Sequence, residues 1–225
     1  MKQSFLDKLM SRKGLYTAFW IIALVMVTML IRYTATLQKE VPPIPQEVKS
    51  ESGEVLYTYD DIIKGKEYFQ EFDLTDWGTL LGMGAYMGPD FSTDFLHYRA
   101  EYLYDYYGQE IYGKLNAELS DIERGAVKVR VIEDFKHQTE LLETTTVYTD
   151  ASAEAFHKNV EYLVDLLVNG DTDRAFRGGV ILPEEAIKIA AFVDWSQLVA
   201  SSYRSGTERT WSNNWPPEPL IDQDL

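Results

Sequence analysis

A chain of 225 residues with 45% hydrophobic and 25% charged side chains has a globular composition, which excludes wholesale disorder and collagen-like repetition. It contains no cysteine, so disulfides, thiolate-bound zinc, iron–sulfur clusters and thioether-linked haem are excluded. A formal charge of −15 argues against nucleic acid as a partner, because phosphate binding needs lysine and arginine in excess.

The N-terminus has a different character from the rest. Leu15 to Ile31 is a run of seventeen residues without a formal charge. At about 1.5 Å per residue it reaches roughly 25 Å, the low end of what crosses a bilayer core. Lys2, Lys8, Arg12 and Lys13 precede it, and Tyr16 and Trp20 suit an interfacial position. The run exceeds the usual length of a signal-peptide core, and no small-residue cleavage site follows it, so a retained anchor over 15–33 is expected. The positive-inside rule puts residues 1–14 in the cytoplasm and the remainder outside. Residues 1–32 hold five basic groups and one acid, leaving 16 basic against 35 acidic groups over 33–225, a net charge of −19. Such a surface is soluble and is repelled by anionic head groups.

Residues 34–57, with Pro42, Pro43 and Pro45 among charged side chains, read as an extended stalk. Asp60 and Asp61 open a helix carrying Ile62, Ile63, Tyr68, Phe69 and Phe72. Leu74–Asp90 follows as a loop, its Gly78, Gly82, Gly84 and Gly88 too closely spaced for a regular element. Phe91–Tyr112 has helical periodicity and is rich in tyrosine. Asp121–His137 suits another helix capped by Ser120, and Thr144–Thr149 is the one good strand signal. Two more helices are expected, from Ala151 to Asn169 with Gly170 as terminator, and from Pro183 to Tyr203. The expected fold is mostly α: one N-terminal transmembrane helix, then a helical domain over 58–206 and a Trp/Pro-rich segment over 207–225.

Candidate chemistry is sparse. His97, His137 and His157 are too far apart for a local metal motif. The carboxylate pairs Asp60/Asp61, Glu133/Asp134 and Glu184/Glu185 fall near helix starts or on expected wet faces, a poor setting for acid–base catalysis. Asn169–Arg174 lacks the spacing and terminal glutamate of an EF-hand. Neither a phosphate-binding glycine loop nor a nucleophile elbow is present.

One stretch is distinctive. TLLGMGAYMGPDF, Thr79–Phe91, resembles the segment that follows the CxxCH haem-attachment motif in the cytochrome c subunit of nitric oxide reductases. Counting back from Thr79, the two cysteines and the axial histidine are replaced by Leu74, Trp77 and Gly78. That loss is similar to the quinol-dependent nitric oxide reductases, whose N-terminal region keeps a cytochrome c-like fold without haem. TWSNNWPPEPL, Thr210–Leu220, is similar to the stretch just before the catalytic transmembrane bundle of those enzymes. The resemblance implies a cytochrome c-like domain lacking haem, as part of an enzyme that reduces NO to N2O in the denitrification branch of the respiratory chain. Its haem b, haem b3 and non-haem iron would belong to a haem-copper-oxidase-like bundle, either in the same polypeptide or in a separate subunit. The resemblance also implies a shared Ca2+ contacted by the Gly84 carbonyl and the Tyr86 hydroxyl, with the other ligands from the bundle. No catalytic residue and no cofactor held by this chain alone is expected. A void left by a lost porphyrin has to be filled, and Trp77, Met83, Met87 and the Phe91–Tyr112 helix supply bulk for it. The competing expectation is a free-standing, membrane-anchored interaction or sensor domain.

Overall fold

The computed structural model describes residues 11–37, 41–84, 87–137, 141, 143–204 and 210–211. They separate into two units, one ending at Val41 and one beginning at Pro42.

The first unit is helix α1, Arg12–Leu37, with no buried residue. An 18-residue stretch of it has a mean hydropathy of 2.2, so the helix is long and apolar enough to cross a membrane. The helix is longer than the expected span by several residues at its C-terminal end. Four threonines on it satisfy their own hydroxyls: Thr17, Thr28, Thr34 and Thr36 each donate to the carbonyl four residues back. A polar side chain closed on its own backbone in this way is tolerated in an apolar setting.

The second unit begins where a stalk is expected, and the expectation is only partly met. Glu47–Ser50 (β1) and Val55–Thr58 (β2) are strands, joined by Thr145–Tyr148 (β3) in a sheet of order β2-β1-β3. β1 is antiparallel to β2 and parallel to β3, with Val48 opposite Tyr57 on one side and Thr146 on the other. Val48 and Ser50 point inward and are buried, and Pro45 is buried ahead of them. The Pro43 carbonyl accepts a hydrogen bond from Trp195 Nε1 at 3.0 Å. The proline-rich segment is therefore held against the domain by burial and by a hydrogen bond that its sequence does not announce.

Helices follow with caps that explain their boundaries. Tyr59–Glu71 (α2) starts at Thr58, whose side chain and that of Asp61 form a capping box. A single turn, Leu74–Trp77 (α3), interrupts the expected loop. Phe91–Tyr112 (α4) is capped by Asp90, whose side chain accepts from Thr93 N at 3.0 Å. Asp121–His137 (α5) starts at Ser120, whose backbone N–H donates to Glu123 Oε2 at 2.8 Å. Asp150–Asn169 (α6) is capped by Thr149. Gly170–Asp171 (β4) and Phe176–Arg177 (β5) make a small hairpin, and Pro183–Ser201 (α7) completes the order.

α7 is the central rod. Ala186, Ile189, Ala190, Phe192, Val193, Leu198 and Val199 are buried on it, and α2, α4 and α6 pack around it. A second cluster joins α4 to α5 through Leu103, Tyr107, Val127, Val131 and Phe135. Burial of such side chains contributes about 1.5–3 kcal/mol each and holds the assembly together.

One ion pair couples α2 to α7. Lys188 Nζ contacts Asp61 Oδ1, while Asp61 Oδ2 accepts from Thr58 N at 2.7 Å. Burial alone would raise the Asp61 carboxyl, but the bonds from Lys188 and Thr58 outweigh it and hold its pKa below the ordinary range. The contribution to stability is therefore fully present above the unfolded-state value and is lost as pH falls through the lowered folded-state value. Asp61→Asn should cost about 1 kcal/mol near neutrality and much less at the acid end, as read by urea unfolding at several pH values.

Candidate functional site

The Leu74–Asp90 segment departs from the core at a neck and returns to it. α3 is entered through Asp73 in a left-handed conformation and ends at Gly78, whose N–H donates to the Leu74 carbonyl at 2.9 Å. The neck is laced by three backbone bonds: Thr79 N to Pro89 O at 3.0 Å, Gly88 N to Trp77 O at 2.8 Å, and Phe91 N to Thr79 O at 2.9 Å. These leave Gly78 and Gly88 no room for a side chain. A Cβ on Gly78 would lie 2.6 Å from Phe91 Cε2 and 2.7 Å from the Pro89 carbonyl oxygen. One on Gly88 would lie 2.6 Å from the Trp77 carbonyl oxygen.

The three positions that the resemblance sets against the attachment motif occupy this neck. Leu74 is fully buried in the main core. Trp77 is half-buried, its ring 4.2 Å from that of Phe176 and 5.8 Å from that of Phe91. Its Nε1 donates to the Arg174 carbonyl at 2.7 Å, which ties the neck to the β4–β5 hairpin. Phe91 continues the contact to Phe69 at 5.3 Å, and Phe69 to Phe192 at 5.4 Å. An axial histidine at position 78 would clash with Phe91, and neither position 74 nor position 77 offers a thiol. The residues present do not fit an attached haem.

The filling differs from the sequence expectation in two respects. Met83 and Met87 do not fill a gap: they are 79% and 56% exposed at the loop tip. The neck bonds seal the volume beneath, so the tip stays outside it. The tyrosines of α4 are not aimed at the neck either. Its first turn supplies Phe91 there, whereas Tyr107 packs with α5 and the Tyr98 ring meets that of Tyr162 at 4.6 Å, tilted by 55°. Phe176 and the hairpin carrying it are the parts that sequence reasoning missed, because a two-residue strand leaves almost no pattern.

The loop tip is held from below. Gly82 N donates to Asp90 Oδ2 at 2.8 Å, and Leu81 N to Ser92 Oγ at 3.2 Å. Ser92 Oγ is in turn 2.6 Å from Ser196 Oγ of α7. Leu81 adopts a left-handed backbone, φ 61°, and Ala175 in the hairpin does the same at φ 54°. Such geometry is costly for a residue with a Cβ. Ala175 is exposed, so Ala175→Gly should raise stability by about 0.5–1 kcal/mol, a gain visible as a higher urea midpoint with unchanged slope.

Of the two residues associated with calcium, Gly84 lies exposed at the tip with φ 77°, and Tyr86 lies outside the described residues. Among the described residues no group of three or more histidine, aspartate or glutamate side chains could hold a metal ion. Asp171 instead organises the hairpin turn, its Oδ1 accepting from Asp173 N and Arg174 N.

The remaining candidates are dispersed. His97 and His157 are surface residues facing Glu101 and Glu54, and the His137 side chain lies outside the described residues. Asp60 and Glu184 are exposed, and Glu185 caps α7 by accepting from Leu182 N at 2.8 Å. Glu133 is exposed beside Arg130. Asp134 contradicts the expected wet face. It is buried, accepting from Tyr107 Oη at 2.8 Å, Thr149 Oγ1 at 2.6 Å and Ser152 Oγ, with Arg99 Nη2 at 3.5 Å. Asp194 is likewise buried, accepting from Tyr57 Oη at 2.5 Å and Tyr148 Oη at 2.7 Å. Burial raises its carboxyl above the ordinary range despite these donors. The Arg99 guanidinium lies over both the Phe135 and Tyr148 rings, between the two carboxylates' partners. These groups knit helices together deep in the core, away from the loop.

At the far end, Thr210 is buried and bridged to Tyr203, and half-buried Trp211 packs on the main core with Arg204 over its ring at 5.5 Å. Residues 212–225 lie outside the described residues. A comparison with curated proteins finds no match. A comparison with protein-family models matches residues 45–217 to the cytochrome c-like domain of the nitric oxide reductase protein NorB. That match takes in both strands of the supposed stalk, the glycine loop with its filled neck, and the Trp–Pro tail as far as Pro217, and the chain belongs to this family.

Proposed function

We propose that this chain is the membrane-anchored, haem-free cytochrome c-like part of a quinol-dependent nitric oxide reductase, and that it caps the catalytic bundle rather than performing chemistry. One observation carries the reading: Leu74, Trp77, Phe91 and Phe176 close the neck, while Met83 and Met87 stand exposed on a tip held by Asp90 and Ser92. A sealed base under an apolar, adaptable tip is the form of a docking element rather than of a redox site.

In this reading α1 is the anchor, with the N-terminus cytoplasmic and the second unit extracytoplasmic. The tip seats on the outer face of a multi-span bundle that carries haem b, haem b3 and non-haem iron. Seating excludes water there and shapes the approach of quinol. A Ca2+ ion at the junction would take the Gly84 carbonyl and the Tyr86 hydroxyl. Calcium requires 6–8 oxygens, so its remaining donors would have to come from the bundle.

Replacing Met83 and Met87 by glutamate tests the docking. Both are exposed, so the double variant should leave the domain's stability within about 0.5 kcal/mol. Co-expressed with the reductase bundle, it should lose co-purification with haem b and the NO consumption of the assembled complex. Undiminished co-purification of the double variant would refute the docking role.

A further inference from the structure

A second face lies at the opposite end of α4. Tyr102, Asp105, Tyr106, Gln109, Glu110 and Leu115 line an open groove of about 510 Å3. Tyr102 and Tyr106 follow Phe91 by 11 and 15 residues, so they sit about 17–23 Å along the helix from the glycine loop. Their ring centroids are 6.3 Å apart and inclined by 36°, which makes a continuous aromatic floor.

We propose that this groove docks an arginine- or lysine-bearing segment of a partner protein, its cationic side chain lying on the Tyr102 and Tyr106 rings beside Asp105 and Glu110. The floor is built for a cation that the groove itself lacks. Among the described residues no lysine, arginine or histidine lines it, and no cation lies over either ring. The contrast with the neighbouring Tyr107 is direct, since Arg130 of this same chain sits 5.2 Å over that ring.

Of the two carboxylates, Asp105 is already oriented. Tyr102 Oη donates to Glu154 Oε2 at 2.6 Å, and Asp105 Oδ1 accepts from Asn116 N at 2.7 Å, leaving its second oxygen for a guest. Burial, together with the fields of Glu110, Glu154 and Asp150, raises the Tyr106 phenol above its ordinary pKa, as expected where negative charge surrounds a ring. Beyond the anchor the net charge of −19 would steer a basic partner toward this face. The groove is open rather than enclosed by walls, which suits a side chain presented on a protein surface better than a small free cation. Arginine fits best, because it stacks on aromatic faces and bonds carboxylates through a planar fork.

The test uses the full chain in neutral detergent at about 150 mM salt, near physiological ionic strength, and a labelled tetra-arginine peptide, followed by fluorescence anisotropy. Saturable binding is expected. Tyr102→Leu with Tyr106→Leu, which leaves the net charge unchanged, should weaken it about 5- to 30-fold, whereas Tyr106→Phe should stay within about two-fold. Asp105→Asn with Glu110→Gln should also weaken it, and more than Glu71→Gln with Glu184→Gln, an equal loss of charge on other elements. Those two amide pairs decide the matter if the leucine variant does not fold. The proposal is overturned if the peptide does not bind, if the leucine variant binds as the wild type does, or if both amide pairs weaken binding equally. Competition by tetramethylammonium as effective as that of the peptide would also overturn it, in favour of a small-cation site.

Discussion

Trp77→Ala is expected to lower the stability of the domain by about 3 kcal/mol, near the low end for removing a packed tryptophan because the ring is only half-buried. Three losses combine: the contact with Phe176 at 4.2 Å, the contact with Phe91, and the hydrogen bond to the Arg174 carbonyl. This side chain joins the hairpin to the neck of the glycine loop, so its removal loosens both. Trp77→Phe keeps most of the ring contact and gives up the N–H, and should cost about 1 kcal/mol. Urea unfolding followed by far-UV circular dichroism separates the two. A loss below about 1 kcal/mol for the alanine variant would show that the neck does not depend on the indole.

The second large effect is expected at Asp134. Asp134→Ala should cost about 3–5 kcal/mol, because it removes a carboxylate beside the buried Arg99 charge and strips Tyr107 and Thr149 of their acceptor. Its exposed neighbour provides the contrast, and Glu133→Ala should change stability by less than about 0.5 kcal/mol. The pair Arg99→Met with Asp134→Leu should recover much of the loss, since apolar groups of similar volume often replace a buried ion pair without penalty. If Asp134→Ala and Glu133→Ala unfold at the same urea concentration, the buried network is not what joins α4, α5 and α6.

Both sites show how far the sequence can be read. α4 and α5 are legible to the residue because their ends are local chemistry: Asp90 and Ser120 cap them through side chains a few residues away. β3 is legible for the same kind of reason, as an unbroken run of β-branched and aromatic residues. β1 and β2 are not, since Glu47–Ser50 is too short and polar to signal a strand until Thr145–Tyr148, nearly a hundred residues on, pairs with it. The burial of Asp134 does have a signal in the sequence. It lies seven residues after Val127 and three after Val131, on the apolar stripe of α5 rather than on its wet face. The burial of Leu74 and the bulk of Trp77 are legible as residue types suited to a closed neck. The exposure of Met83 and Met87 is not, because it follows from backbone bonds across the neck that depend on the returning chain.

The account rests on the crevice of a cytochrome c-like domain being closed by its own side chains, and haemin titration of the purified chain tests that most directly. Absorbance at the Soret band should follow that of free haemin in the same detergent, with no saturation at one equivalent. A Soret shift that saturates at one haemin per chain, and is lost when position 77 or 91 is altered, would contradict it.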